Sequence, residues 1–318
     1  MKQGDSKKLD PRTLLALSKA RPAPPRRAVP ILIALTIVVV GLGIIGYLIW
    51  PDDPPRVTVV AYDTVAHPDD TIALHGRVEK EEGEKSNRLG GLEIRFEVPA
   101  SHFGESAATE NNGATSVEWH VPEKVGLPIE FTVIRELGRQ KRVARDSGHV
   151  FIYPANTPLL VVDADHALAD ADEETLQAAS LTKLKEKEGA ASTLRGLSGG
   201  YKIVYLTAVM DRPDSYRKLR IWLSGTGLAT RLQLLPDGPL LGPYEPLGQG
   251  DREIFLAGQV QALKKDFPKL AIGIAGRAQE AKVFQGEGLK TYLIGEAGDA
   301  PDDVTVAGTW AELAKQFK

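Results

Sequence analysis

The chain has 318 residues, 39 Lys and Arg against 42 Asp and Glu, and a hydrophobic fraction of 42%. This nearly balanced charge offers no basic surface for nucleic acid and no acidic solvating tail, so we expect no nucleic-acid partner. The absence of cysteine excludes disulfides, a cysteine nucleophile and thiolate metal sites, which leaves carboxylates, amides, backbone carbonyls and six histidines as metal ligands.

The first predicted element is an uncharged apolar run from Ile31 to Trp50. About 20 such residues span the hydrocarbon core of a bilayer, so we predict a transmembrane signal anchor over residues 29–51. Basic residues precede the run and acidic residues follow it, which predicts a cytoplasmic basic tail at residues 1–28 and an extracytoplasmic body, periplasmic in a bacterium. A cleaved signal peptide is the alternative, but it has a shorter apolar part and a small-residue cleavage site. The prediction is a single-pass membrane protein.

Residues 55–156 contain short runs of alternating apolar and polar residues, separated by Gly, Asn, Asp and Pro. The pattern predicts strands. They cover Arg56–Tyr62, Thr71–Val78, Leu92–Val98, Thr115–Val121, Ile129–Ile134 and His149–Tyr153. Six strands in about 100 residues resemble an immunoglobulin-like sandwich. We therefore expect an all-β domain without catalytic residues, serving as a spacer or a recognition module for an unidentified protein partner.

Residues 158–318 alternate buried strands with helical stretches. The predicted strands are Leu159–Val162, Tyr201–Leu206, Leu270–Ile274 and Thr291–Ile294. The predicted helices are Leu176–Lys187, Ser215–Leu223, Phe255–Phe267 and Thr309–Phe317. This alternation predicts an α/β domain around a parallel sheet, with sites at the carboxyl ends of the strands.

Asp163 and Asp165 directly follow the first strand of this domain. Side chains two residues apart on an extended segment point to the same side, so one hard cation can engage both carboxylates. Carboxylates this close repel each other unless a metal ion or a proton neutralises them. The alternative is an acidic loop, because Asp170 and further acidic residues follow and suit a helix N-terminus. An EF-hand loop does not fit, because its glycine and its closing glutamate are absent.

Several runs in residues 158–318 resemble the haloacid dehalogenase (HAD) superfamily, and within it the lipin/Smp-type phosphatidate phosphatase domains. The runs are Leu159–Asp165, Tyr201–Ala208, Leu235–Leu241, Ile274–Glu280 and Gly288–Ile294. The resemblance implies a Rossmann-like fold with Asp163 as nucleophile and Asp165 as general acid and base. It also implies that Thr207 binds the phosphoryl oxygens. Mg²⁺ would be held by Asp163, the backbone carbonyl of Asp165 and Glu280.

The chain departs from the HAD pattern at several positions. Ala167 replaces a threonine, Val209 replaces an arginine, Leu256 stands where the bracing lysine is expected, and His166 replaces a glycine. Whether the chain is an enzyme therefore stays open. One hypothesis is a Mg²⁺-dependent phosphohydrolase acting on a phosphate ester such as a lipid phosphate. The second is a catalytically degenerate module that binds an anionic lipid headgroup or a protein, and the third is a scaffold for a functional β domain.

Overall fold

The computed structural model describes residues 57–80, 89–124, 126–137, 142–171, 175–176, 184–208, 215–225, 235–245, 247–248 and 250–317. Residues 55–318 belong to one compact unit. The predicted cytoplasmic tail, residues 1–28, and the predicted anchor, residues 29–51, lie outside the described residues.

The N-terminal strands form two sheets that share a core. Sheet order β1-β3-β6 joins β1 (Val57–Ala61), β3 (Thr71–Lys80) and β6 (Ala114–His120), all antiparallel. Sheet order β2-β8-β7-β4-β5 joins β2 (Thr64–Ala66), β8 (Arg142–Ile152), β7 (Ile129–Leu137), β4 (Glu93–Val98) and β5 (Phe103–Ala108). In β4 the side chains of Ile94, Phe96 and Val98 alternate inward, because successive residues of a strand face opposite sides. They pack with Phe131 and Val133 in the shared core.

The second half of the chain builds a six-stranded parallel sheet between two helical layers. Its order is β11-β10-β9-β12-β13-β14, with strands β9 (Leu159–Asp163), β10 (Lys202–Leu206), β11 (Leu240–Leu241), β12 (Leu270–Ala275), β13 (Lys290–Ile294) and β14 (Thr305–Ala307). The helices are α1 (Ala190–Leu197), α2 (Ser215–Ser224), α3 (Asp251–Asp266), α4 (Ala278–Gly286) and α5 (Trp310–Lys315). Central strand β9 is buried along its whole length, which explains its unbroken apolar run.

The two faces of β9 contact different helices. Leu160 and Val162 belong to a core that includes residues of α1, α2 and α5. Leu159 and Val161 belong to a second core, which includes residues of α3 and α4.

Both cores continue into the N-terminal strands, which corrects the predicted fold class. Val60 and Tyr62 lie in the first core, and Phe151 and Tyr153 lie in the second. The prediction of a transmembrane helix followed by a separate all-β, immunoglobulin-like domain and an α/β domain is therefore wrong. The described residues form a mixed α/β unit with several sheets. Strand periodicity shows which side chains are buried but not which element covers them, so this joint burial was not visible in the sequence.

The membrane predictions are corrected as well. Within the ranges that the structure describes, no helix combines the length and the apolar character needed to cross a bilayer. This finding does not support the predicted signal anchor or membrane attachment through a transmembrane helix. The extracytoplasmic location was derived from that anchor, so it is withdrawn as well. The predicted anchor rested on the length and apolar character of one run, and its orientation rested on the charges that flank the run.

A buried ionic network joins β8 to α2. Arg220 Nη2 donates to Asp146 Oδ2 at 2.7 Å, and Arg217 Nε donates to Asp146 Oδ1 at 3.1 Å. The backbone of Ala61 takes part too, because its N–H donates to Asp146 Oδ2 at 3.0 Å and its carbonyl accepts from Arg220. Asp146 and Arg220 are both buried, so each depends on the other for charge compensation.

The segment predicted as a helix over Leu176–Lys187 is helical at Leu176 but not at its C-terminal end. Residues 184–187 are not helical, and Glu186 forms an antiparallel bridge with Ala169. The Lys187 N–H donates to the Leu168 carbonyl at 2.8 Å. This pairing brings Lys187 beside the residues that follow β9.

His75 in β3 gives the unit a pH-dependent stability. Its ring stacks on Tyr244 with centroids 3.8 Å apart and planes 9° apart. Burial lowers the pKa of His75 to about 4, below the value of about 6.5 in an unfolded chain. The unfolded state therefore binds the proton more tightly. The stabilisation is complete above about pH 6.5 and is lost as the pH falls toward 4.

We expect the His75→Phe variant to lose less stability than the wild type between pH 7.5 and pH 5. Phe keeps an aromatic ring against Tyr244 but cannot be protonated. The difference should be about 1–2 kcal/mol, after discounting for the partial exposure of the ring. Urea unfolding of both proteins at the two pH values measures it. Equal losses in both proteins would contradict the assignment to His75.

Candidate functional site

The sheet order brings four predicted site residues to one edge. Strand β9 lies between β10 and β12, and Leu206 of β10 pairs with Asp163. Asp165 lies in a π-helical turn, Ala164–Leu168, directly after β9, and Thr207 directly follows β10. Glu280 lies in the first turn of α4, which follows β12. The carboxyl ends of parallel strands form a common edge, so these side chains converge there.

Asp163 caps the turn that follows its own strand. Its Oδ1 accepts from the Asp165 N–H and its Oδ2 accepts from the His166 N–H, both at 3.2 Å. The residue is completely buried. Backbone donors therefore hold the carboxylate in place, in the way an N-cap residue satisfies the first N–H groups of a helix.

Asp165 uses both of its oxygens within the protein. Oδ1 accepts from the Thr207 hydroxyl at 2.6 Å, and Oδ2 accepts from the Ala208 N–H at 2.9 Å. The Thr207 hydroxyl thus donates to a carboxylate in this structure. Asp165 and Thr207 are both completely buried.

A single guanidinium group contacts all three carboxylates of the cluster. Arg252, in the first turn of α3, places Nη2 3.0 Å from Asp165 Oδ2 and 3.5 Å from Asp163 Oδ1. Its Nε donates to Glu280 Oε1 at 3.1 Å. The family resemblance implies a cation at the position of Leu256, but Leu256 packs in the second core. Arg252 stands four residues earlier, one turn away on the same helix face, and that spacing was the signal that could have identified it.

His166 is the second basic group of the cluster. In the sequence it was noted only as a replacement for the glycine of the HAD pattern. Its Nδ1 lies 3.3 Å from Glu280 Oε1 and 3.6 Å from Asp163 Oδ2. The same nitrogen lies 3.1 Å from Arg252 Nη2. We define the ionic cluster as Asp163, Asp165, His166, Arg252 and Glu280.

Burial and pairing set the protonation of the ionic cluster. Burial raises the pKa of Asp163, but its contacts with His166 and Arg252 outweigh this effect and hold that pKa below its ordinary value. Burial also raises the pKa of Asp165, and there the nearby Arg252 does not fully offset it. Burial lowers the pKa of His166, yet hydrogen bonds to Asp163 and Glu280 raise it to about 9. His166 and Arg252 therefore neutralise most of the negative charge of the three carboxylates in the ionic cluster.

The ionic cluster does not fit the predicted Mg²⁺. Asp163, His166 and Glu280 each place one potential ligand atom within 4.8 Å of the others, so a donor set is present. Mg²⁺ requires near-octahedral oxygen ligands at about 2.1 Å. The Arg252 guanidinium lies among the same carboxylates at 3.0–3.5 Å, so a divalent ion would meet a fixed positive charge. Magnesium binding stays a prediction, and we derive no step through the ion.

No family model matches this sequence, and no curated protein matches it either. Among solved structures, the chain is similar to an L-2-haloacid dehalogenase at 17% identity, covering 43% of this chain and 60% of the dehalogenase, with a TM-score of 0.30. It is also similar to β-glucuronidase 3 of Bacteroides uniformis at 11% identity, over 76% of this chain and 33% of the enzyme, with a TM-score of 0.27.

A third similarity is to the CARDB domain of a Pyrococcus furiosus protein solved in complex with di-metal ions. It has 12% identity, covers 32% of this chain and 98% of that domain, and has a TM-score of 0.19. The dehalogenase similarity is a weak likeness to the HAD superfamily, and it spans less than two thirds of that protein. The lipin-type and immunoglobulin-like resemblances gain no support. At these TM-scores none of the similarities carries a functional argument.

Proposed function

We propose that this chain is a HAD-like module that acts by binding and does not hydrolyse phosphate esters with magnesium. One observation carries the proposal: Arg252 occupies the centre of the carboxylates that a magnesium ion would require. The three carboxylates of the ionic cluster are buried, and the chain's own side chains largely neutralise them.

The state of Asp163 supports this proposal. A carboxylate nucleophile needs a free lone pair and a path along which the substrate can approach. Asp163 is completely buried, both of its oxygens accept backbone N–H groups, and Arg252 and His166 lie against it. Among the described residues, these contacts leave neither oxygen of Asp163 open to an approaching phosphoryl group.

The state of Asp165 supports the same conclusion. A general acid must be within hydrogen-bond reach of the leaving oxygen. Both Asp165 oxygens already accept hydrogen bonds, from Thr207, Ala208 and Arg252. The residue can serve a substrate only if these contacts break.

A magnesium-dependent phosphohydrolase is the second candidate, with a phosphate ester, including a lipid phosphate, as its substrate. Glu280 Oε2 favours it, because this buried oxygen has no hydrogen-bond partner among the described residues. Such an orphaned acceptor suits a ligand to a metal ion. This candidate requires Arg252 to leave the ionic cluster first.

We expect no turnover of p-nitrophenyl phosphate by the wild type in the presence of Mg²⁺, beyond the background of the Asp163→Asn variant. The variant removes the charge of Asp163, the residue predicted to take the phosphoryl group, and thermal unfolding shows whether the variant stays folded. Phosphate release by both proteins is the measurement. Turnover in the wild type that disappears in Asp163→Asn would refute the proposed function and establish the second candidate.

A further inference from the structure

A cavity of about 370 Å³ opens beside the ionic cluster. Its lining includes His166, Asp170, Lys187, Gly276 and Arg277. This volume is at the small end of the range for ligand pockets, about 300–1,000 Å³. None of the roles described above uses the cavity.

The N-terminus of α4 forms one side of this cavity. Arg277 is the N-cap residue of the nine-residue helix, and no side chain caps the first N–H groups. Uncapped N–H groups and the helix dipole make such an end attractive to anions. Gly276 brings the helix start against the turn after β9, because a Cβ at this position would lie 2.0 Å from the His166 carbonyl carbon. Only glycine permits this close approach.

His166 supplies an independent observation that points to a ligand. Its side chain is 5% exposed, and its Nδ1 faces the ionic cluster. Its Nε2 is buried and has no hydrogen-bond partner among the described residues. Leaving such a buried group without a partner is unfavourable. The carboxylates of Asp163 and Glu280 beside Nδ1 favour the protonated imidazole, and in that form Nε2 also carries a hydrogen and requires an acceptor.

The charges at the cavity favour an anionic acceptor. Lys187 and Arg277 contribute two positive charges, and Asp170 contributes one negative charge. Backbone bonds fix this arrangement, since the Lys187 N–H donates to the Leu168 carbonyl at 2.8 Å and the Asp170 N–H donates to the Lys185 carbonyl at 2.9 Å. Proteins bind phosphate groups through donors of these kinds: a guanidinium, an ammonium, an imidazole N–H and a helix N-terminus.

We propose that this cavity binds a phosphate group, either free or at the end of a larger molecule, through Arg277, Lys187 and His166 Nε2. The site deepens the proposed function, because it names the ligand of the binding module. It does not involve the oxygens of Asp163, so binding and hydrolysis can be tested separately.

Calorimetric titration of the full chain with inorganic phosphate at low chloride tests the proposal. We expect binding by the wild type, at least fivefold weaker binding by Arg277→Gln and by Lys187→Gln, and no detectable binding by the double variant. Arg195→Gln is the matched control, because Arg195 is exposed on α1 and does not line the cavity. It should bind like the wild type.

No phosphate binding by the wild type, or equal binding by the double variant, would overturn the proposal. Thermal unfolding of each variant separates lost binding from lost folding. These outcomes are independent of the hydrolysis assay, since turnover refutes the proposed function even where phosphate binds as expected.

A second arm distinguishes a lipid headgroup from a soluble phosphate compound. The wild type and the double variant are sedimented with phosphatidylcholine vesicles, with and without phosphatidate. Sedimentation that requires phosphatidate, Arg277 and Lys187 identifies the headgroup. Phosphate binding without vesicle binding identifies a soluble ligand, and vesicle binding that persists in the double variant counts against the cavity as the lipid site.

Discussion

Replacing Arg252 with leucine is expected to lower the free energy of unfolding by about 3–5 kcal/mol, because it leaves buried carboxylates without their main counter-charge. Asp163 and Asp165 are completely buried and Glu280 is 1% exposed, so water cannot replace the guanidinium. Leucine fills much of the arginine stem's volume, so the loss reports charge more than packing. Urea unfolding at neutral pH measures the difference from the wild type.

Two controls sharpen the Arg252 experiment. The double variant Arg252→Leu, Glu280→Gln should recover part of the lost stability, because it removes one of the unpaired negative charges. Millimolar Mg²⁺ should raise the melting temperature of Arg252→Leu and leave that of the wild type unchanged, since the vacated position can then take a cation. Equal stabilisation of both proteins by Mg²⁺ would show that Arg252 does not control metal binding, and would contradict the expected competition at the ionic cluster.

Replacing Arg220 with methionine is expected to cost a similar amount, about 3–5 kcal/mol, at the junction between β8 and α2. The substitution leaves the Asp146 carboxylate buried with one exposed partner, Arg217, and removes a donor to the Ala61 carbonyl. Asp63 loses a nearby positive charge as well, since Arg220 Nη1 lies 4.0 Å from its Oδ1. Urea unfolding again provides the measurement.

Arg217→Met is the matched control for Arg220→Met. Arg217 pairs with the same carboxylate, but its side chain is 41% exposed, and exposed ion pairs contribute only about 0–1 kcal/mol. Comparing the unfolding free energies of the two variants therefore separates the effect of a buried arginine from that of an exposed arginine on the same carboxylate. If both cost the same, burial of the Arg220–Asp146 pair is not what stabilises the junction.

The sequence predicted the positions of the carboxylates for a clear physical reason. Leu159–Val162 is an unbroken apolar run, as a central parallel strand requires, and the structure extends that strand by one residue to Asp163. Strand ends meet at one edge of a parallel sheet, so Asp165 and Thr207 could be expected near each other. They share a hydrogen bond of 2.6 Å.

Two of the basic residues were not predicted, because hydrophobic periodicity does not mark them. Arg252 acts through the reach of a long side chain from a helix 87 positions away from Asp165, and hydrophobic periodicity does not encode such reach. His166 stood out only as a substitution in a motif. Its function depends on Glu280, which the chain brings close only after β12 and α4 are in place.

The merging of the N-terminal strands with the α/β layers was also beyond the sequence argument. Alternation marked the strand that contains Phe151 as half-buried, but an apolar side chain packs equally well against a second sheet or against a helix. In the structure Phe151 shares a core with Leu256 of α3. Long-range packing of this kind depends on the whole chain.

That shared packing makes the two parts of the protein inseparable in practice. A cut in the connection between Ile152 and Leu159 would expose Phe151 and Tyr153 on one fragment and the matching surface of Leu159 and Val161 on the other. Each fragment would then expose an apolar surface that is prone to aggregation. Recombinant work should therefore keep both parts on one polypeptide.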